Sequence, residues 1–424
     1  MKKAVLAVIL CMSLGDVYAM EFLPALDANG GITYPTGVSG EKVTGTAKGL
    51  AKAIAGEADM AGSFMVNTDF LPQLWFIPTL TANYSSTGQP LLVEDQRFVF
   101  SSWSDIYFSA GFNYQLDDNW ELRARGLGRL DYTQQTADET IGKGLYDYID
   151  KGFYFENSNK FGSDVTAEIL EGVKYIDKRF PNYQSLISQV NPDTIGGSLN
   201  AKAKDEKDNL GYSAYLTCDL QLGNSGWFPV IGFNYEYLRY LDQKIINLDG
   251  TLSGNNRIDR SAVITLDFPY YADAVSGVDL SYELTIRTVS QNYYDSMGTT
   301  DPSDDVYTVD YYNNFESVFK VSYTFELDKP FLNSYKPSVS MGLTTDVVAY
   351  TERFAKNTKG IYTADKQLDI NYTLFLEYRH KLADFWNYYL NATFNRYNSN
   401  MKWEAYGTFN YTFFTATAGM GLSF

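Results

Sequence analysis

The chain is poor in the side chains that carry most protein chemistry, with two cysteines and one histidine. Cys11 lies in an N-terminal apolar run that export would remove, so Cys218 is left as the only thiol and no internal disulfide can form. One histidine and one cysteine cannot supply a nitrogen- or sulfur-rich metal site. His380, beside Lys381 at a predicted turn, is expected to be solvated rather than to act as a general base. The sequence therefore predicts no catalytic residue, no cofactor and no metal site.

Basic residues and long apolar runs are also scarce. The chain has 34 Lys and Arg against 51 Asp and Glu, a formal net charge of −17, which argues against nucleic acid as a partner. Beyond the N-terminal run, no apolar stretch approaches the roughly 20 residues that a membrane-spanning helix needs. If the chain crosses a membrane, strands must do it.

The first 19 residues have the pattern of a secretory signal peptide. Lys2 and Lys3 precede the apolar run 4–14, and Val17 and Ala19 supply small residues at the −3 and −1 positions of a cleavage site. We expect export and cleavage after Ala19.

Residues 106–132 show the pattern that recurs along the chain. Apolar and polar side chains alternate through 106–116, Asp117-Asp118-Asn119 interrupts the alternation, and it resumes from Trp120 to Tyr132. Period-2 alternation places each set on one face of a strand, so this segment predicts a hairpin with one apolar and one charged face.

Further alternating segments predict about twelve strands in all. Fourteen strands result if the stretch 401–424 contains a hairpin or if 62–69 also pairs. The predicted fold is all-β, a closed antiparallel up-and-down transmembrane β-barrel formed by residues 73–424. Residues 20–72 are interpreted as a periplasmic lead-in or a plug.

The segment 133–208 is interpreted as a large external loop that contains a short helix. Ser163 can cap this helix, and Val165, Ile169, Val173 and Ile176 fall on one side of it at helical spacing.

A soluble β-sandwich would also alternate, and three features favour lipid. The predicted strands are about 11 to 13 residues long, whereas globular strands centre near five or six. Connections alternate between short and long. Tryptophans mark the strand ends: the interfacial girdle is predicted to comprise Trp120, Trp227 and Trp386 on one side and Trp103 and Trp403 on the other. The location predicted from these features is the bacterial outer membrane, with membrane lipid as a partner.

Two stretches resemble known families. The final alternating strand, which ends at Phe424, resembles the C-terminal signature of Gram-negative outer-membrane barrels, and this resemblance implies recognition by the barrel assembly machinery. Gly49-Leu50-Ala51 and Ala55-Gly56-Glu57-Ala58 resemble the plug region of the long-chain fatty-acid transporter family. That family's Asn-Pro-Ala signature is absent, so the resemblance implies no binding residues here.

If the apolar face meets lipid, the polar face lines a lumen with charges of both signs. The candidate lumen and selectivity residues are Arg123, Arg125, Arg129, Glu283, Arg287, Glu316, Lys320, Glu377 and Arg379. The arginines of 123–129 have two interpretations: a ladder that attracts anions, or braces paired with neighbouring carboxylates.

These features favour a channel or porin-like transporter for small polar solutes. One alternative is a surface interaction protein whose loop tyrosines, at 293–294 and 311–312, bind a partner while the lumen is occluded. Another is uptake of an apolar ligand, which needs an apolar cavity. The solute and the oligomeric state stay open.

Overall fold

The computed structural model describes residues 20–39, 55–68, 71–90, 98–134, 142–144, 146–162, 165–183, 206–273, 275–295, 305–328, 335–403 and 410–423. No helix in these ranges is long and apolar enough to cross a membrane. The described residues form nineteen strands. They are β1 (Met20–Ser39), β2 (Ala55–Thr68), β3 (Leu71–Pro90), β4 (Phe98–Asp117), β5 (Trp120–Gln134), β6 (Tyr148–Phe161), β7 (Val165–Arg179), β8 (Asn209–Leu222), β9 (Val230–Ile246), β10 (Leu252–Asp267), β11 (Tyr270–Tyr271), β12 (Gly277–Val289), β13 (Tyr293–Asp295), β14 (Val306–Thr308), β15 (Asn314–Glu326), β16 (Ser338–Lys356), β17 (Tyr362–Ala383), β18 (Trp386–Ser399) and β19 (Tyr411–Ser423).

Sixteen long strands pair antiparallel in chain order, which confirms the predicted all-β, up-and-down arrangement. The pairings run from β1 to β10, then through β12 and β15 to β19, and β19 also pairs with β1. We call these sixteen strands the strand ring. The short strand β11 continues the pairing along β12, while β13 and β14 form a small hairpin in the connection before β15.

The predicted count of twelve or fourteen strands is wrong because two segments taken for other structures contribute strands. The segment 20–72, expected to be a lead-in or plug, supplies β1, β2 and the start of β3. Gly30, Gly31 and Pro35 of this segment lie inside β1, with a register shift between Pro35 and Gly37. Residues 49–51 of the plug resemblance lie outside the described ranges, and the other part of it, from Ala55, opens β2.

The segment 133–208, expected to be an external loop with a helix, supplies β6 and β7. The predicted helix is wrong: Val165–Arg179 is a strand, and Ser163 lies outside the described residues. Val165, Ile169 and Val173 are four apart, a spacing that also fits alternate positions of a strand. Pairing decides between the two, since Val173 lies opposite Phe155 of β6 and Ala214 of β8, and β-branched side chains suit a pleated sheet.

The two faces of the ring differ sharply in composition and burial. The apolar face carries exposed side chains such as Phe108, Phe155 and Val173, each at least half exposed. The polar face carries buried charged groups, among them Asp105 and Asp150 at 6% and 4% exposure. A soluble domain buries its apolar side chains and exposes its charges. Here the enclosed face is the polar one.

The ring has two ends. One end, the turn end, has tight connections such as 118–119 and 384–385, and the other, the loop end, has the connections 180–208 and 290–313. Trp120, Trp227 and Trp386 lie at the turn end with exposures of 43%, 37% and 38%.

Neither of the two tryptophans predicted for the loop end marks the end of a strand. Trp103 lies inside β4 on the polar face, where its Nε1–H donates to Asp131 Oδ2 at 2.7 Å. Trp403 lies in the connection after β18, and its ring packs against Gly360, whose φ is +79°. Phe424 lies outside the described residues.

Candidate functional site

Arg123 and Arg129 of β5 lie on the polar face and are held by carboxylates. Arg123 Nη2 is 2.9 Å from Glu121 Oε2, and its Nη1 is 3.7 Å from Glu156 Oε2. Arg129 Nε is 2.7 Å from Asp105 Oδ1, and its Nη2 is 3.8 Å from Asp131 Oδ2. We call Arg123, Arg129 and these four carboxylates the paired cluster. Its two arginines face four acidic partners, so it carries no surplus of positive charge.

Arg125, between them, has a neutral environment. Its Nη2 donates to Asn113 Oδ1 at 3.1 Å, and its guanidinium lies 5.9 Å from the centre of the Tyr154 ring. Other donors also occupy the carboxylates of the paired cluster, since Tyr215 donates to Glu156 at 2.6 Å. The contacts of Arg123 and Arg129 are those of braces paired with carboxylates. Arg125 has no carboxylate partner among the described residues, and its Nε is buried without a hydrogen-bond partner there.

The other predicted lumen residues are spread around the polar face. Lys320 Nζ is 3.7 Å from Asp279 Oδ2, and Arg379 Nε is 3.2 Å from Glu377 Oε1. Glu283 lies on β12 opposite Thr265 of β10, and Glu316 lies on β15 opposite Thr285 of β12. The structure therefore confines these residues to one face without gathering them into one site. Arg287 lies on the same face but does line a site.

Arg287 lines a cavity of about 420 Å³ on the polar face near the loop end. The cavity is bounded by β9, β10, β12, β15, β16 and Tyr312 in the connection before β15. We call it the Arg–Tyr cavity. The side chains that define it are Arg257, Arg287, Arg353, Tyr240, Tyr312, Tyr350, Glu236 and Asp259.

Only one of these arginines has a carboxylate partner among the described residues. Arg257 forms a two-point contact with Asp259, at 2.7 Å from Nε and 2.5 Å from Nη2. Arg353 instead lies over two rings, 5.1 Å from the centre of Tyr311 and 4.8 Å from that of Tyr350. Arg353 Nε is buried and has no hydrogen-bond partner in the described part of the chain.

A phenol outside the strands completes the cavity. Tyr312 lies in the connection before β15, and burial raises its pKa. The hydroxyl therefore stays protonated at neutral pH and can donate a hydrogen bond to an anion.

The sequence did not predict Arg257 or Arg353 as site residues. Arg257 lies near the start of β10, which begins at Leu252, and Arg353 lies near the end of β16, which ends at Lys356. The available signal was Arg257 and Asp259, two residues apart and therefore on the same face of a strand.

Two further expectations are corrected by burial. Tyr311, expected on an exposed binding loop, is 8% exposed, and its ring stacks on Tyr293 at 4.2 Å between centroids. His380, expected to be a solvated turn residue, lies within β17 and is fully buried. Its Nδ1 is 3.1 Å from the hydroxyl of Tyr378, and its ring stacks on Tyr388 at 5.6 Å.

In the described ranges, no group of three or more His, Cys, Asp and Glu side chains is arranged to hold a metal ion. The side chains of the candidate site carry guanidinium, carboxylate and phenol groups.

Comparison with known proteins finds similarity in structure only. No protein-family model matches the sequence, and no curated protein matches it. Pseudomonas putida OprB in its high-pH structure is 11% identical, with 97% of this chain and 96% of that chain covered and a TM-score of 0.46. OmpF of Salmonella typhi, in complex with daunomycin, is 14% identical over 95% and 97% of the two chains, with a TM-score of 0.41. A bacterial polysaccharide outer membrane secretin is 10% identical over 95% and 98%, also with a TM-score of 0.41. TM-scores this low say nothing about function.

Proposed function

We propose that the strand ring spans a bacterial outer membrane as a barrel and conducts small polar solutes through a charged lumen. The observation that carries the proposal is the sidedness of the ring. Its strands are 13 to 22 residues long, and they expose apolar side chains while enclosing charged ones. A membrane strand needs about nine to eleven residues, so each strand is long enough to cross hydrocarbon.

The pairing pattern supports a location in lipid. Hydrocarbon offers no hydrogen-bond partner to an open strand edge, so strands cross it only when every strand is paired on both sides. In the strand ring β1 pairs with β2 on one side and with β19 on the other. The exposed tryptophans of the turn end add the aromatic residues that favour a membrane interface.

The number of strands supports an open lumen. Interiors of about eight strands are filled by side chains, whereas 16 to 18 strands leave an aqueous channel. The ring has sixteen strands, and charges of both signs line its polar face. Such a face is stable only in contact with water or with counter-charges.

Conductance in planar bilayers tests this proposal. Folded protein, checked by its β-sheet circular dichroism signal, is expected to give stepwise ion currents, and the same preparation unfolded by heat serves as the control. Currents absent from the folded protein at every protein concentration tried would refute the channel. Swelling of liposomes in neutral sugars of increasing size would then give the size limit of the pore.

The alternatives have less support. The stacking of Tyr311 on Tyr293 places a loop aromatic inside the structure rather than on a free binding surface. The charged polar face does not supply the apolar cavity that uptake of an apolar ligand requires.

A further inference from the structure

We propose that the Arg–Tyr cavity is a binding site for small organic carboxylates, held by Arg287 and Arg353 with aromatic rings beside them. This inference rests on the proposed function only for the route by which the solute arrives. Binding itself depends on the cavity.

The cavity is built by strand register rather than by chance contact. On the polar face, Glu236 of β9 lies opposite Ser261 of β10, Ser261 lies opposite Arg287 of β12, and Arg287 lies opposite Asn314 of β15. Tyr350 of β16 continues this row, opposite Asn314. Five strands therefore present one transverse row of polar side chains, with Arg287 at its centre.

The charge balance of the cavity favours an anion. Three guanidinium groups from the polar face meet two carboxylates, and one carboxylate, Asp259, is already held at two points by Arg257. Asp259 also accepts from the hydroxyl of Tyr240 at 3.4 Å. Glu236 is the remaining acid, so the cavity has a surplus of one positive charge.

Arg260 does not add to that surplus. It contributes to the cavity lining, but its guanidinium lies 5.8 Å from the centre of the Tyr237 ring. Tyr237 packs against Tyr212, an exposed side chain of the apolar face, at 6.3 Å between centroids. Arg260 and Asp259 thus belong to the same strand, but the charge of Arg260 lies on the apolar face of the ring.

Arg353 supplies the second, independent observation. Its buried Nε has no hydrogen-bond partner among the described residues, and its charge faces the rings of Tyr311 and Tyr350. The guanidinium of Arg353 has no carboxylate partner among the described residues, and an anion in the cavity would pair with it. Guanidinium matches carboxylate at two points, which makes carboxylate the anion that this group prefers among organic solutes.

The size and the rest of the lining indicate the kind of carboxylate. A volume of about 420 Å³ falls at the lower end of the range for small-molecule sites. Tyr312 and Tyr350 offer ring faces and hydroxyl groups, and Leu238 and Val289 add apolar surface. A carboxylate that carries one ring fits this combination, and benzoate is the simplest probe.

The test is calorimetric titration of folded, detergent-solubilised full-length protein with benzoate, with neutral benzamide as the matched ligand. We expect benzoate to bind and benzamide to bind at least tenfold more weakly, since a hydrogen bond to a charged group is lost. Arg287→Gln and Arg353→Gln are each expected to weaken benzoate binding at least tenfold. Arg396→Gln on β18, which removes a charge outside the cavity, is expected to change it less than twofold.

Several results would overturn the proposal. They are the absence of benzoate binding to the unaltered protein, equal binding of benzamide, or full binding by Arg287→Gln and Arg353→Gln. Arg287→Lys and Arg353→Lys keep the charge and provide a second pair of variants if the glutamine variants do not fold, and they are expected to bind benzoate with intermediate affinity. Because titration needs no current, a protein that binds benzoate without conducting ions would refute the channel and leave the site in place. A protein that conducts ions without binding benzoate would refute the site and leave the channel in place.

Discussion

Arg129 and Arg353 both belong to the polar side of the ring, yet their surroundings differ. Arg129 lies between Asp105 at 2.7 Å and Asp131 at 3.8 Å. Arg353 lies over Tyr311 and Tyr350, with no ion pair to a described carboxylate. The same side chain is therefore neutralised in one region and left with its charge available in the other.

The difference shows that two arginines on the same polar face can have different electrostatic surroundings. In the paired cluster, acids outnumber arginines, and both guanidinium groups have carboxylate partners within the wall. In the Arg–Tyr cavity, the acids are fewer than the arginines, and the neighbours of Arg353 are tyrosine rings rather than carboxylates. We infer that the first region stabilises the barrel and the second contacts solutes.

The largest expected effect comes from removing the arginine of the paired cluster that bridges two buried acids. Arg129→Met would leave Asp105 and Asp131, at 6% and 4% exposure, without their cation. Breaking a buried pair by removing one partner costs about 3 kcal/mol or more. Unfolding by guanidinium chloride in detergent micelles, followed by circular dichroism, measures this change.

The matched control is Arg353→Met, which leaves no carboxylate among the described residues without its cation. We expect it to change the free energy of unfolding by less than about 1 kcal/mol. If the two variants lose the same stability, the distinction between a bracing and a solute-facing arginine is wrong.

A smaller effect separates two arginines inside the cavity itself. Arg257→Gln would remove the two-point contact to Asp259, and hydrogen bonds to charged groups contribute about 2 kcal/mol. Arg287→Gln removes no ion pair among the described residues and is expected to cost less than about 0.5 kcal/mol. The same guanidinium chloride unfolding measures both. A greater loss of stability for Arg287→Gln than for Arg257→Gln would mean that Arg287 has a structural partner.

The sequence predicted the alternation of faces well because a strand's side-chain period is a local property. The hairpin at 106–132 forms as β4 and β5, with the expected apolar and polar faces. The prediction from the sequence failed where local patterns were ambiguous. Small residues obscured the alternation in β2, and Val165, Ile169 and Val173 fit a helix as well as a strand. Only long-range pairing, such as Val173 opposite Ala214, resolves that choice.

The same limit applies to the candidate site. Alternation correctly placed Arg123, Arg129 and Arg287 on the polar face, but it does not reveal which charges meet. Arg287 lines the same cavity as Tyr350 and Arg353 because β12 and β16 both pair with β15. Along the chain, Tyr350 lies 63 residues beyond Arg287. Register across several strands is a tertiary property, so the cavity was beyond the reach of a single-strand pattern.

The smallest expected effect is a difference in sensitivity to salt. Between about 0.1 M and 1 M salt the Debye length falls from about 10 Å to about 3 Å, which weakens attraction between a solute and an accessible charge more than it weakens buried contact pairs. Benzoate affinity for the Arg–Tyr cavity is therefore expected to fall about threefold over this range, while benzamide binding stays unchanged. The stability cost of Arg129→Met is expected to differ by less than about 0.5 kcal/mol between the two salt concentrations, since the carboxylates that lose their cation are buried. Calorimetric titration and guanidine-free thermal unfolding at the two salt concentrations measure the pair. A paired cluster that responds to salt more strongly than benzoate binding does would reverse the assignment of the two regions, because the accessible charge would then lie on β5.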